Sequence, residues 1–268
     1  MTHAPKLGQN YLRDEQACQR IVAALGDISQ STVVEIGPGH GVITELLVPR
    51  AQRVIAVELD HSLALSLRAR YSPDQLTVVE QDVLQFDYAA AAAEAGVKLR
   101  VVGNLPYYIT SPILLQLAEA HASIDLAVLM VQREVADRIT AEPNSRDYGL
   151  LSVTTQLYGP VAPLFTLPPE AFSPPPQVHS TVFRWRFAPR FAELGLEPAS
   201  FTTFLRQAFA QKRKTLANNL RAAGLTPESI AAALDQAAVP TQARAESLSI
   251  EALARLWREL NSALKELP

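Results

Sequence analysis

Thr32-Val-Val-Glu-Ile36 runs directly into Gly37-Pro-Gly-His-Gly41, and a helical stretch follows to about Pro49. A short β-branched run, a glycine-rich turn and a helix, in that order, form the nucleotide-binding unit of parallel α/β folds. The glycines let the backbone approach a ligand, and the helix amino terminus favours polar or anionic groups. The spacing is G-x-G-x-G, not the G-x-G-x-x-G of dinucleotide folds. Glu35, in the last turn of the strand, would repel a pyrophosphate.

The pattern repeats. Arg53-Val-Ile-Ala-Val57 reads as a second strand ending at Glu58, where an acidic residue can accept both hydroxyls of a ribose. Leu76-Thr-Val-Val79 reads as a third, followed by Asp82, well placed to hold an amino group such as that of adenine. Glu35, Glu58 and Asp82 are therefore expected to ring one crevice with negative charge. A ligand that suits it carries an adenosine and a positive charge, and no pyrophosphate. S-adenosylmethionine meets those terms, and Gly37 and Gly39 would let the backbone close on it.

Leu99 to Val102 reads as a fourth strand, and Gly103-Asn104-Leu105-Pro106-Tyr107 ends it. The carboxyl ends of strands are where open α/β sheets bind ligands. The Asn104 amide oxygen can accept one N–H of an exocyclic amine and the Leu105 carbonyl the other. Pro106 holds Leu105 extended, and Tyr107 offers a face for stacking. A strand ending in an ordinary proline turn is the plain alternative.

The chain is 268 residues long, 48% hydrophobic, with net charge −3 and a single cysteine, Cys18. It can bury a core, forms no internal disulfide and suits a reducing cytosol. Its amino terminus shows no apolar signal segment, and no apolar run would span a bilayer. A helix is expected from about Asp14 to Leu25, another from Ser111 to about Ala120, a fifth strand over Leu126 to Val131 and a helix over 132–139. Residues 141–149 read as a surface loop, Leu150 to Tyr158 as a helix, and Val161 to Leu167 and Val178 to Phe187 as closing strands. The proline-rich segment between those strands reads as polyproline II, with Phe172 either a core plug or, preferred here, a second stacking face for a base. Phe201 to Gly224 carries Arg206, Lys212, Arg213, Lys214 and Arg221 and no acid. Apolar residues there follow a helical period, so one helix with an apolar face and a cationic, phosphate-binding face is expected. Thr226 and Ser249 open two further helices.

Taken as a set, Gly8-Gln-Asn-Tyr-Leu12, Glu35-Ile-Gly-Pro-Gly39, Glu58-Leu-Asp60, Asn104-Leu-Pro-Tyr107, Phe172-Ser-Pro-Pro-Pro176 and Arg213-Lys-Thr-Leu216 resemble the ribosomal RNA adenine N6-dimethyltransferase family, most of all its bacterial small-subunit branch. The resemblance runs from Leu7 to about Ser249. It implies a Rossmann-like class I methyltransferase of the α/β class, with a seven-stranded mixed sheet whose last strand is antiparallel, plus a small all-α carboxyl-terminal domain. The corresponding domains are residues 1–188 for methyl transfer and 189–268 for RNA binding. It implies cofactor contacts at Asn10, Leu12, Gly37, Glu58, Asp82 and Asn104. It implies transfer of two methyl groups to each of two adjacent adenosines near the 3′ end of 16S rRNA, within the small ribosomal subunit and as part of its maturation. A cytoplasmic monomer without a metal is expected. The rival readings are a DNA adenine methyltransferase, a non-enzymatic assembly factor and a nicotinamide oxidoreductase. The cationic tail disfavours the first, the intact 104–107 stretch the second, and the glycine spacing with Glu35 the third.

Overall fold

The computed structural model describes residues 10–265. They divide into two compact units. One runs to Ala136 and takes in Pro160–Ala188; the other is Asp137–Gly159 with the chain from Pro189 onward. A sequence boundary after residue 188 leaves 137–159 with the first domain, whereas the structure groups that segment with the carboxyl-terminal helices.

The first unit opens with β1 (Tyr11–Leu12), α1 (Glu15–Ala24), β2 (Thr32–Ile36), α2 (Thr44–Leu47), β3 (Arg53–Glu58), α3 (His61–Arg70) and β4 (Thr77–Glu80). It continues with α4 (Tyr88–Ala95), β5 (Leu99–Asn104), α5 (Thr110–Glu119) and β6 (Ile124–Gln132). After α6 (Arg133–Ile139) and α7 (Leu150–Leu157), the first unit resumes with β7 (Val161–Leu167), β8 (Phe172–Ser173) and β9 (Ser180–Arg186). Asp14, Asp60 and Asp87 start α1, α3 and α4 by accepting backbone N–H bonds of 2.8–3.1 Å, each cap worth about 1 kcal/mol.

Seven strands form one sheet in the order β4-β3-β2-β5-β6-β9-β7. The five strands from β4 to β6 are parallel, and β9, the last in the chain, is antiparallel to both of its neighbours. Their β-branched runs are buried throughout in β2, as a strand covered on both faces requires. The chain moves outward from β2 to β3 and β4, then starts again on the other side of β2 with β5. That reversal opens a crevice at the carboxyl ends of β2 and β5.

Two features were absent from the sequence reading. Tyr11 and Leu12 pair with Ser173 and Phe172 in a separate antiparallel ladder. The proline-rich segment is consequently not a continuous polyproline helix: a 3₁₀ turn, Pro169–Ala171, leads into β8, and the Ser173–Pro174 peptide is cis.

The second unit contains α8 (Pro198–Ala208), α9 (Leu216–Ala222), α10 (Pro227–Gln236) and α11 (Ile250–Lys265), closed by Phe201 against Phe204 and Trp257. The single helix expected over 201–224 is broken. Asn219 donates its side-chain amide to the Ala208 carbonyl at 2.7 Å and the Gln211 carbonyl at 3.2 Å, and Thr215 caps α9. These side chains satisfy backbone groups that a continuous helix would have paired internally.

Gly103 shows how tightly β5 lies on β2. A Cβ there would come within 2.8 Å of the Ile36 carbonyl oxygen and 2.9 Å of the Ile36 Cβ. Gly103→Ala is expected to cost about 1–3 kcal/mol, the usual range for overpacking. Chemical denaturation of the full chain reads this as a lower midpoint, and an unchanged midpoint would refute the packing argument.

Candidate active site

A cleft lies at the carboxyl ends of β2, β3, β4 and β5. Ile36 and Gly37 line it from the end of β2, Val57 and Glu58 from β3, Gln81 and Asp82 from beyond β4, and Asn104 to Ile109 from the end of β5. No lysine, arginine or histidine is among its described lining residues. Ile36, Val57, Leu59 and Val83 give the walls apolar surface beside the two carboxylates.

Glu58, Asp82 and Asn104 are each held in place. Glu58, almost fully buried, accepts the Gly39 N–H on Oε2 at 3.1 Å and the Asp60 N–H on Oε1 at 2.9 Å. One bond to each oxygen leaves lone pairs for a ligand's hydroxyls. Gly39, at φ +56°, has no room for a side chain, because a Cβ would come within 2.9 Å of the Tyr11 ring. Asp82 accepts from Leu84 N at 2.9 Å and so starts the turn Val83–Gln85. Gln116 on α5 holds that turn by donating to the carbonyls of Val83 and Phe86 at 2.9 and 3.3 Å.

The 104–107 stretch is anchored at four points. Asn104 Nδ2 donates to the Asn10 carbonyl at 2.9 Å, and no described residue donates to Oδ1. Leu105 N donates to the Met130 carbonyl at 2.9 Å. The Pro106 carbonyl accepts from Thr110 Oγ1 at 2.9 Å and from Ile109 N at 3.2 Å. The Tyr107 hydroxyl shares a hydrogen bond of 3.0 Å with Oγ of Ser180, which is buried.

Of the residues proposed from sequence, Asn10, Gly37, Gly39, Glu58, Asp82, Asn104, Leu105, Pro106 and Tyr107 line this one cleft. Three do not. Glu35 and Leu12 line a neighbouring cavity that shares Tyr11, Gly37 and Asn104 with the cleft. Phe172 is 4% exposed and packs in the core with Leu12, Leu167 and Val182, so it is the plug and presents no open stacking face. Glu35 is buried at 2% exposure and accepts from Thr44 Oγ1 at 2.6 Å. Burial pushes its carboxyl up to about 7; the Thr44 bond opposes that rise and Glu58 adds to it. The expected ring of three carboxylates is therefore a pair, Glu58 and Asp82, above a carboxyl held partly protonated near neutrality.

The sequence reading missed the Asn10 carbonyl as a partner of Asn104, Tyr11 as the ring behind Gly39, and Ser180 and Gln116 as supports. All four pairings join residues distant in the chain, and only the polar Asn-Tyr before α1 hinted at one. The five basic residues Arg206, Lys212, Arg213, Lys214 and Arg221 are exposed in the second unit. Lys212, Arg213 and Lys214 line a surface concavity in the turn between α8 and α9, where Lys212 also donates to the Arg146 carbonyl at 3.0 Å.

The cleft fits S-adenosylmethionine on its own chemistry. Two fixed carboxylates with no cationic neighbour suit hydroxyls, an amine and a positive charge, and the apolar walls suit a flat heterocycle. Among the described residues no cluster of His, Cys, Asp and Glu could hold a metal, and no helix is long and apolar enough to cross a membrane.

Residues 2–262 match the model of the family described as ribosomal RNA adenine dimethylase. The chain is 61% identical over 259 residues to the ribosomal RNA small subunit methyltransferase A of Acidobacterium capsulatum, covering 96% of this chain and 91% of that protein. It is 50% identical over 267 residues to the protein of the same name from Koribacter versatilis, covering 95% and 93%. Among solved structures, the 23S rRNA methyltransferase ErmE superposes with a TM-score of 0.69 at 28% identity, covering 94% of this chain and all of that one. A dimethyladenosine transferase from Plasmodium falciparum shares the fold at a TM-score of 0.79 and 23% identity, covering 94% and 98%.

Glu35 makes stability depend on pH. The unfolded chain releases this proton at an ordinary carboxyl value near 4.5, and the folded protein holds it to about 7. The stability that the protonated Glu35 carboxyl contributes falls as pH rises between those values and is gone above the higher one. The melting temperature of Glu35→Gln relative to the parent protein should therefore rise from pH 5 to pH 8. A constant difference would contradict the burial argument.

Proposed function

We propose, from the premise that this chain belongs to the ribosomal RNA adenine dimethylase family, that Asn104 to Tyr107 grip the exocyclic amine of an adenine in small-subunit ribosomal RNA. The chain is an S-adenosylmethionine-dependent methyltransferase of ribosomal RNA adenine. The finer target is two adjacent adenosines near the 3′ end of 16S rRNA, each receiving two methyl groups within the small subunit during its maturation. Two relatives of 61% and 50% identity, both named small-subunit methyltransferase A, support that target. The protein acts in the cytoplasm as a monomer.

S-adenosylmethionine supplies a methyl group on a sulfonium. The remaining difficulty is adenine N6, whose lone pair is delocalised into the ring. Asn104 Oδ1 and the Leu105 carbonyl accept its two N–H bonds, which localises the lone pair and aims it. Acceptors fixed in advance cost no reorganisation as charge develops on nitrogen. The observation that carries this role is the Asn104 Nδ2 bond to the Asn10 carbonyl, which commits the other end of the amide to accepting. Tyr107, tethered by Ser180, is the stacking face for the target base. Taking that base from its stack costs on the order of a few kcal/mol, and stacking returns about 1–3. Asn10, Gly37, Gly39, Glu58 and Asp82 hold the cofactor, Glu58 at the ribose hydroxyls and Asp82 at the adenine amine. After the first transfer N6 gives up one proton to water and retains a single N–H, so the clamp works the second time with one of its two acceptors unpaired. The exposed cations Arg206, Lys212, Arg213, Lys214 and Arg221 take up backbone phosphates.

Two measurements test these roles. Asn104→Ala should lower kcat about 10²–10³-fold, the loss typical of one preorganised polar group, while calorimetric S-adenosylhomocysteine binding weakens far less. Equal loss of both would remove Asn104 from the chemistry. Arg213→Glu with Lys214→Glu should weaken binding to unmethylated small subunits and flatten the plot of log affinity against log salt by about 0.7–0.9 per lost phosphate contact. An unchanged slope would take this turn out of the RNA-binding surface.

A further inference from the structure

We propose that Tyr108 is a stacking platform for the nucleotide next to the one whose base the 104–107 clamp holds. The inference rests on reading the cleft as the adenine site and adds a second binding position at its rim. Tyr107 and Tyr108 are adjacent and both line the cleft, but their surroundings differ. Tyr107 is half-buried and tied to Ser180. Tyr108 is 59% exposed, the most exposed large hydrophobic side chain among the described residues, and makes no hydrogen bond or ring contact there. Single exposed apolar residues are ordinary on protein surfaces. Tyr108 is set apart by its position. Its backbone lies between the anchored Pro106–Tyr107 segment and α5, so the ring is carried on a fixed base. Leu59, 49% exposed, adds a second accessible apolar side chain to the same cleft.

The occupant follows from what base extrusion leaves behind. Turning one base out of a strand uncovers the face of its neighbour, which then loses stacking. An aromatic ring beside the clamp supplies a replacement face. Such a platform tolerates any sequence, since every base has a π face. For a substrate with two target adenosines side by side, one adenine occupies the clamp while the other stands next to it, so Tyr108 acts on the spacing of the pair and on RNA affinity, not on the methyl transfer itself.

The test uses the full-length protein and unmethylated small ribosomal subunits, with kcat and KM read from labelled methyl incorporation. Tyr108→Ala and Tyr108→Leu should raise KM for the subunit about 5- to 150-fold, the equivalent of one stacked base, with kcat changed only a few-fold. Tyr108→Phe and Tyr108→Trp should keep the parent KM. S-adenosylhomocysteine binding by calorimetry should weaken far less than subunit binding in all four, which also reports that each is folded, and a loss of cofactor binding in step with the rise in KM would overturn the platform. An unchanged KM in Tyr108→Ala would overturn the platform, as would Tyr108→Leu matching the parent or Tyr108→Phe failing like alanine. Absence of methyl transfer by the parent protein would overturn the reading of the cleft, and the platform with it.

Discussion

The hydrogen bond from Asn104 Nδ2 to the Asn10 carbonyl decides what the rest of the cleft can do. A primary amide has a donor end and an acceptor end in one plane. With Nδ2 turned to the Asn10 carbonyl, the amide plane is fixed and Oδ1 is the end of Asn104 left to accept, which an amine requires. The bond needs Asn10 at a defined place, and the fold supplies it through the β1–β8 ladder. Leu12 pairs with Phe172, Tyr11 with Ser173, and Arg13 N donates to the Ala171 carbonyl at 2.8 Å. The buried Phe172 ring packs into the same core as Leu12. Phe172 therefore reaches the clamp through the backbone it anchors and not through a ligand it touches.

The other side of the cleft depends on burial and charge. Glu58 and Asp82 both spend a lone pair on backbone N–H groups, which fixes their orientation and leaves further acceptor capacity. Gln116 joins the two sides, because it sits on the helix that follows the clamp and holds the turn that follows Asp82. Glu35 lies beneath the glycine-rich turn, its carboxyl raised by burial, so much of the negative charge that its residue type suggests is withdrawn near neutral pH. The cleft is acidic through two groups, each positioned.

Much of this was legible in the sequence, and the exceptions share a cause. The parallel strands were readable because β-branched runs alternate with helical patterns, and Thr32–Ile36 falls on the residues expected. The place of Asn104, Leu105, Pro106 and Tyr107 in one cleft was readable because they are contiguous at the end of one strand. Glu35 was misplaced because alternation along a strand gives its position in the chain but not which residues cover it. Phe172 was misplaced because an aromatic ring beside prolines suits a plug and a platform equally until β1 is seen to pair with its strand. The cationic segment reads as one helix because its apolar period is correct on both sides of the break. The break is made by Asn219 and Thr215, whose side chains reach backbone groups that periodicity does not register. In each case the missing information was a long-range contact or a side chain competing with a backbone hydrogen bond.

The central claim is that the clamp presents adenine N6 in small-subunit ribosomal RNA to a methyl donor. Incubating the protein with labelled S-adenosylmethionine and unmethylated small subunits, then mapping the modified nucleotides by mass spectrometry, tests it most directly. The account predicts two adjacent N6,N6-dimethyladenosines near the 3′ end of 16S rRNA and label at no other atom. Label on a ribose, on another base or on a ring nitrogen of adenine would contradict it.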